Sequence, residues 1–153
     1  MNLKRLSFAK LLSNVEGASL VELALSMPMF LVILAGAVDF GHAYCVSIEV
    51  AGAAQAGALY GVRFPTDVSG MQEAAQNGAP DLTSFNSVAA YGCECPDGTS
   101  AVPNCTAPPS CSANYVNYVQ VTTSAIYSPI ITLPGLPAAN SLQGFSRMRV
   151  GGD

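Results

Sequence analysis

A single acidic residue, Glu22, lies near the start of a long apolar segment. Residues 23–38 contain no charged side chain, and the run from Ala18 to Val38 is 21 residues long. About 20 apolar residues suffice for an α-helix to cross a bilayer. An ionised carboxylate at the centre of such a helix costs about 2.5–3.5 kcal/mol. Glu22 is therefore a candidate functional residue, and the alternative is that its side chain reaches back to the headgroup layer.

Five cysteines form the second group of candidate residues. Cys93, Cys95, Cys105 and Cys111 fall within 19 residues, whereas Cys45 stands alone just after the apolar run. Four cysteines in a short segment outside the cytoplasm are typical of two disulfides, with three possible pairings. A zinc site is the alternative, but C-x-C and C-x5-C spacings without a nearby histidine fit zinc knuckles poorly. Whether Cys45 is free, paired with another chain or packed as a small apolar residue stays open.

The sequence contains no recognisable catalytic constellation. His42 is the only histidine, and Asp39 precedes it by one helical turn. No nucleophile motif accompanies this pair, and no glycine-rich phosphate-binding motif is present. Asp39 and Glu49 could bind cations or partner subunits, or simply be solvated. We therefore expect a protein that is not an enzyme and that uses no cofactor and no metal.

Charge is distributed unevenly along the chain. Lys4, Arg5 and Lys10 precede the apolar run, whereas the residues after Gly17 contain three arginines and nine acidic residues. By the positive-inside rule, the N-terminus is cytoplasmic and the remainder lies outside the membrane. The acidic balance after Gly17 provides no basic patch for nucleic acid, so we expect no nucleic-acid partner.

Two helices are predicted to position these residues. The first runs from Ala18 to about Val62, with a kink at Pro28 because proline removes one backbone donor. Its second half is rich in alanine and glycine, which suits close packing against another helix or against a sheet of the same chain. The second helix covers residues 68–76, capped by Thr66 or Asp67 and stopped by Asn77-Gly78.

Strands are predicted in the C-terminal part of the chain. Candidates cover residues 85–91, 114–127 and 142–150, and an edge strand or connector with three prolines covers residues 128–137. In the second candidate, Val119 and Val121 share one face, while Tyr118 and Gln120 share the other. Residues 93–111 are predicted to be a loop. The outer half of the long helix is expected to cover the apolar face of the sheet.

The fold class is therefore α+β, with a long N-terminal helix packed on a small antiparallel sheet. The predicted organisation is a leader (1–17), a transmembrane segment (18–38), an extracytoplasmic continuation of the helix (39–63), and a small α+β domain with its Cys-rich loop (64–153). No internal repeat is present.

The N-terminal residues resemble a known family. Gly17, four residues and then Glu22 before an apolar run resemble the cleavage pattern of type IV prepilins. The wider pattern is similar to TadE-like pseudopilins of tight-adherence (Tad, Flp, type IVb) pili: V-E-L-A-L at 21–25, Pro28, D-F-G at 39–41 and an alanine-rich helix at 53–58. The C-terminal strands and the proline-rich connector also look similar, although only residues 17–41 are specific.

This resemblance implies a pilin-like fold and cleavage by prepilin peptidase between Gly17 and Ala18. It also implies a role in pilus assembly for Glu22, and contacts with other pilins and pseudopilins, with Tad inner-membrane assembly proteins and with the membrane itself. The expected location is the inner membrane, as a single-pass protein with a periplasmic or extracellular domain. Two features favour a minor pseudopilin: Leu23, where major pilins often have an aromatic residue, and the large C-terminal domain. Gln55 is a further departure, because the family often has an arginine there.

Alternative interpretations remain for the N-terminal segment. Gly17 could simply lie at a helix start capped by Asn14. An ordinary secretory signal could end at Ala35-Gly36-Ala37, although two acidic residues precede its apolar core. The protein would then be a secreted or membrane-anchored, disulfide-stabilised binding module, with residues 93–111 as its binding surface.

Overall fold

Helix α1 is the longest element of the structure, a computed structural model that describes residues 15–131 and 139–151. It runs from Val15 to Arg63 over 49 residues. Alanine and leucine favour the helix throughout. The helix ends before Phe64-Pro65, because a proline disfavours helical geometry in the residue that precedes it. The long helix predicted from the sequence is confirmed; Pro28 lies inside it, and a kink there stays a prediction.

The chain divides into two compact units, with the boundary between Phe40 and Gly41. The described part of the N-terminal unit consists of helix α1 alone. The C-terminal unit contains the rest of helix α1 and all other elements. Residues 1–14, with the three cations of the predicted leader, lie outside the described residues. The predicted domain bounds therefore stay a prediction.

Helix α2 runs from Val68 to Asn77 and has a polar cap at its start. The Asp67 side chain accepts a 2.9 Å hydrogen bond from the Gly70 backbone N–H, which satisfies one of the free donors of the first turn. At the other end, the Gly78 N–H bonds to the last turn of the helix. Both the helix and its Asp67 cap agree with the sequence prediction.

Four strands form one antiparallel sheet in the order β2-β1-β3-β4. The strands are β1 (Asn86–Glu94), β2 (Val102–Pro103), β3 (Val116–Tyr127) and β4 (Asn140–Val150). Strand β3 pairs with β1 on one side and with β4 on the other over most of its length. The α+β arrangement of a long helix and a small antiparallel sheet is thereby confirmed.

The predicted loop at 93–111 is wrong in part. Strand β1 continues through Cys93 and Glu94, where it still pairs with β3, and Val102 and Pro103 form strand β2 against β1. Proline and glycine in this segment predicted irregular structure, but the neighbouring strand supplies hydrogen-bond partners that composition does not reveal. Residues 128–131 of the predicted connector are not in a strand, and residues 132–138 lie outside the described residues.

Within the C-terminal unit, helix α1 and strand β3 run antiparallel and make matched contacts. Two residues of strand advance about 6.6 Å, and four residues of helix advance about 6 Å, so the two elements stay in step along their common length. The contacts pair Gly61 with Val119, Gly57 with Val121, Val50 with Thr123 and His42 with Tyr127. The outer half of the helix therefore covers one face of the sheet, as predicted.

Small residues allow this close approach. Ala53, Ala54, Gly57 and Ala58 are all buried in the C-terminal unit. A Cβ atom at Gly57 would lie 2.7 Å from the backbone oxygen of Met71 in α2. The buried small residues therefore pack within the chain itself, against its own sheet and its second helix.

Candidate functional site

The apolar segment around Glu22 is uncovered by any other part of the described chain. From Ser19 to Leu34, every side chain is exposed except the half-buried Ser26. Phe30, for example, is 70% exposed. Large apolar side chains in this density require a cover of lipid or protein. The helix from Ser19 onward is long and apolar enough to cross a membrane.

Glu22 and Ser26 are the polar residues at the start of this segment. The Ser26 hydroxyl donates to the backbone carbonyls of Glu22 at 2.9 Å and of Leu23 at 3.2 Å. The hydrogen-bonding capacity of the Ser26 hydroxyl is therefore satisfied within the helix, so this side chain is tolerated in apolar surroundings. The Glu22 side chain is exposed, and no described side chain pairs with it. Gly17 and Ala18 belong to the same helix backbone.

The four clustered cysteines form two disulfides. Cys93 pairs with Cys105 and Cys95 pairs with Cys111, with Cα–Cα distances of 5.2 and 5.5 Å. The zinc alternative required these four thiols, which are here bonded to each other. Each disulfide closes a loop of 12 to 16 residues, a constraint on the unfolded chain of about 3 kcal/mol. The two loops interleave, so the segment between strands β1 and β3 is anchored twice.

Glu94, the last residue of β1, lies between Cys93 and Cys95 and is the buried centre of an ionic cluster. Its side chain is 5% exposed, and its two oxygens accept from Arg147 at 2.7 Å and from Arg149 at 3.1 Å. Arg149 also donates to the Pro96 carbonyl at 2.7 Å. Both arginines extend from edge strand β4, so the cluster connects the disulfide-linked segment to the far side of the sheet.

Tyr118 completes this cluster on the sheet face that α1 does not cover. The Arg147 guanidinium carbon lies 3.7 Å from the centre of the Tyr118 ring, a cation–π contact. The ring lies over Gly92, where a Cβ atom would come within 2.7 Å of it. Two arginines around one carboxylate leave one net positive charge, which is partly exposed on this face.

A second polar network lies at the start of α2. Asp67 accepts from the Tyr60 hydroxyl and the Ser69 hydroxyl, both at 2.8 Å, in addition to its backbone bond. The Gly70 N–H, followed by the hydroxyls of Tyr60 and Ser69, holds the pKa of Asp67 below its ordinary value. The hydrogen bond to Asp67 raises the pKa of Tyr60. The network fixes the turn between the two helices.

The disulfide-linked segment also contains one self-contained turn. The Asp97 carboxylate accepts from the Thr99 N–H at 3.0 Å and from its hydroxyl at 2.8 Å. These bonds lower the pKa of Asp97. Gly98 has a positive φ of 82°, which glycine adopts without strain. The turn is therefore ordered by its own side chains.

An open groove of about 460 Å³ lies between helix α1 and edge strand β4 of the C-terminal unit. Its walls include Ile48, Gly52, Phe145 and Met148, with Gln55 as the long polar side chain. A catalytic pocket usually brings several polar or titratable groups together. This groove is mostly apolar and offers no such combination.

The remaining predicted residues are dispersed along helix α1. His42 contacts the ring of Tyr127, with 5.4 Å between ring centroids. Cys45 is exposed and outside any disulfide. Glu49 and Asp39 are half-buried. Among residues 19–131 and 139–151, no group of three metal-binding side chains comes together.

Sequence reasoning missed the role of Glu94. It assigned no partner to Arg147 and Arg149, which lie in the predicted strand 142–150, because Glu94 was included in the predicted loop 93–111. The sequence did contain a signal. In an extended C-E-C triplet, successive side chains point to opposite faces of the sheet, so the acid lies on the other face from both cysteines. An R-x-R pair on another strand is the matching pattern.

Comparison with known proteins gives one family match. Residues 17–59 match the family model of TadE-like proteins. The match covers the apolar segment with Glu22 and most of the outer part of helix α1, and it ends before α2 and the sheet. It confirms, for this segment, the resemblance to the TadE-like, Tad pilus-associated family. No curated protein and no solved structure matches the chain significantly.

Proposed function

We propose that this chain is a minor pseudopilin of a Tad-type pilus system. It is made as a precursor, cleaved by prepilin peptidase between Gly17 and Ala18, and held in the inner membrane by residues 18–38. The N-terminus faces the cytoplasm, and the sheet-containing unit is displayed outside the membrane. Its work is pilus assembly, with other pilins and Tad inner-membrane proteins as partners.

One observation carries this proposal. The apolar helix with the lone carboxylate of Glu22 is uncovered in the described chain, and the same residues match the TadE-like family model. A helix of this kind needs a lipid or protein cover, and a pilin uses both in turn. The cover is lipid before assembly and neighbouring pilin helices after it.

Glu22 has a physical role in this scheme. Cleavage after Gly17 would create a cationic amine on Ala18, four residues from Glu22 and therefore on the same helix face. A neighbouring subunit displaced by about 6 Å along the helix axis, the rise of four residues, would bring its amine beside Glu22. Pairing makes a buried carboxylate tolerable, whereas an unpaired one is strongly disfavoured. The pair would thus select one register between subunits.

The displayed unit supports a minor rather than a major subunit. Residues 41–153 form a compact unit with two disulfides and a buried ionic cluster. Major pilins of the family that the sequence resembles are short helices with almost no extra domain. The oxidised cysteines agree with a location outside the cytoplasm, where disulfides persist.

The first test is the N-terminus of the mature chain. Protein purified from membranes is analysed by intact mass and N-terminal sequencing, with and without reductant. We expect a start at Ala18 and a gain of about 4 Da on reduction, two hydrogens for each disulfide. A start at Met1 would instead indicate an uncleaved membrane-anchored module, and a start just after Ala37 a secreted one. Either result would refute the pseudopilin proposal.

The second test separates the role of Glu22 from processing. The Glu22→Gln variant is compared with Glu73→Gln, which removes an exposed acid of helix α2, outside the apolar segment. We expect both variants to be cleaved at Ala18, and only Glu22→Gln to lose co-purification with other pilins. Equal co-purification of the two variants would show that the Glu22 carboxylate does not set the register.

A further inference from the structure

Strand β4 is a free edge of the sheet. In the order β2-β1-β3-β4 it pairs with β3 on one side, and among residues 15–131 and 139–151 no strand lies on its other side. Its 11 residues pair with β3 one to one, without a bulge. Alternate backbone N–H and C=O groups of an edge strand point away from its neighbour. Strand β4 therefore presents a row of backbone donors and acceptors that a further strand could pair with.

The two edges of the sheet differ in their protection. Natural edge strands avoid pairing with other chains by being short, or by carrying proline, lysine or a bulge. Strand β2 consists of Val102 and Pro103 only, and it lies inside the loop closed by a disulfide. Strand β4 is long and contains neither proline nor lysine. Its two arginines are directed to Glu94, so β4 is the edge that is open to a further strand.

An apolar groove runs beside this open edge. The groove of about 460 Å³ is lined by Ile48, Gly52 and Gln55 from successive turns of α1, and by Ser146 and Met148 from β4. Ile48 is 55% exposed, and a Cβ atom at Gly52 would meet no other atom within 4 Å. Successive side chains of a strand point to opposite faces of its sheet. A strand added to β4 would therefore direct every second side chain into the groove.

We propose that the free edge of β4 and this groove together form a strand-addition site for an extended segment of a partner protein. The segment pairs with β4 through backbone hydrogen bonds, and its alternate side chains, branched and apolar, fill the groove. In strand addition, backbone pairing supplies affinity and the pockets for alternate side chains supply selectivity. The positions opposite Arg147 and Arg149 are not basic, because like charges directly opposite each other are destabilising.

A second copy of this chain is a poorer occupant than a partner segment. Antiparallel pairing of two β4 strands over all 11 residues would centre on Phe145 and place Gly144 opposite Ser146. Ser146 lines the groove, and Gly144 faces the backbone of α1. The second copy would thus offer glycine and serine to the groove, and these residues are too small to fill it. Valine or isoleucine at the same positions of a partner segment would bury apolar surface there.

The probe is a fluorescein-labelled peptide with the sequence of residues 116–124, taken from β3, because β3 is the strand that pairs with β4. In the register that β3 has, the peptide would place Val121 opposite Ser146 and Val119 opposite Met148, on the groove side. Two further peptides are N-methylated on alternate residues, one in each phase. N-methylation removes the backbone donor, and only one phase of donors faces β4 in a strand pair.

Binding is measured by fluorescence anisotropy with the full-length, oxidised protein in detergent. The Gly52→Leu variant fills the groove, and the open space around Gly52 leaves the packing of the unit intact. Gln76→Leu is the matched control, since it adds the same side chain at an exposed position of α2, outside the groove. Circular dichroism of each variant establishes that it is folded.

We expect the unmodified peptide to bind equally to the wild-type protein and to Gln76→Leu. Its Kd for Gly52→Leu should be at least about tenfold higher, because the leucine occupies the space of the peptide side chains. One N-methylated peptide should bind the wild-type protein at least about tenfold more weakly, since each lost hydrogen bond weakens binding about 2- to 10-fold. The peptide methylated in the other phase should bind as the unmodified peptide does.

Three results would overturn the proposal. The first is that the unmodified peptide does not bind up to about 1 mM. The second is equal binding to Gly52→Leu and Gln76→Leu, or an equal effect of both N-methylation phases, since either would mean apolar adhesion without strand pairing. The third is self-association of the wild-type protein that Gly52→Leu abolishes, because the occupant would then be a second copy. Since the site lies within the C-terminal unit, none of these results bears on the cleavage after Gly17.

Discussion

Replacing Glu94 by glutamine should destabilise the C-terminal unit by about 2 kcal/mol. Removing one partner of a fully buried ion pair typically costs about 3–5 kcal/mol. Here the carboxylate is 5% exposed, but the side chains of Arg147 and Arg149 are 29% and 52% exposed. Water therefore recovers part of their solvation, and the glutamine oxygen still accepts one hydrogen bond, which lowers the expected cost.

The loss is measured by thermal unfolding of the oxidised, full-length protein in detergent at neutral pH. The near-UV circular dichroism of the tyrosines reports on the C-terminal unit. For a unit of this size, about 2 kcal/mol corresponds to a decrease in Tm of roughly 8–12 °C. Glu73→Gln, at an exposed position of α2, is the matched control and should change Tm little.

A double-mutant cycle with Arg149→Met measures the coupling within the cluster. The effects of Glu94→Gln and Arg149→Met should be less than additive, since each variant breaks the same ion pair. If Glu94→Gln unfolds at the same temperature as Glu73→Gln, or if the two effects add fully, Glu94 does not organise the disulfide-linked segment in the way described.

Three further predictions concern other parts of the C-terminal unit. Gly144→Ala should lower the free energy of unfolding by about 2 kcal/mol, because a Cβ atom there would lie 2.5 Å from the backbone of helix α1. Gly52→Ala is the control and should leave this free energy unchanged, because the space around Gly52 is open. Urea unfolding measures both variants. The pKa of Asp67 is depressed below its ordinary 3.8. The contribution of the Asp67 carboxylate to the free energy of unfolding is therefore complete above pH 3.8 and is lost as the pH falls through the pKa of the folded state. Acid unfolding of Asp67→Asn should lack this loss. Replacing Cys95 and Cys111 together by serine should lower the urea-unfolding free energy by about 3 kcal/mol while the helical circular dichroism is retained, and an unchanged midpoint would contradict this.

Much of the fold follows from local patterns. The apolar and small residues of α1 predicted one helix up to Val62, and the structure ends it at Arg63. Asp67 before an apolar segment predicted a capped helix, because its carboxylate can satisfy a free N–H of the first turn. Alternating valines predicted β3. Each of these features depends on residues only a few positions apart, so sequence alone contains the relevant information.

The predictions failed where the structure depends on distant partners. Proline and glycine suggested that residues 93–111 are irregular throughout, but the pairing of Cys93 with Asn117 extends strand β1 into this segment. The partner lies 24 residues further along the chain, beyond any local pattern. The same holds for Glu94, whose arginines follow more than 50 residues later.

The sequence by itself determined the long helix, the apolar run with Glu22 and the set of four cysteines available for disulfides, since composition and short spacings are sufficient for these. Only the tertiary structure decided which cysteines pair, which acid is buried, and that α1 runs antiparallel to β3. The physical reason is that these features depend on which surfaces meet after the chain has folded. The close approach of helix to sheet, made possible by small residues, brings the end of β3 to the helical residues that follow the proposed span.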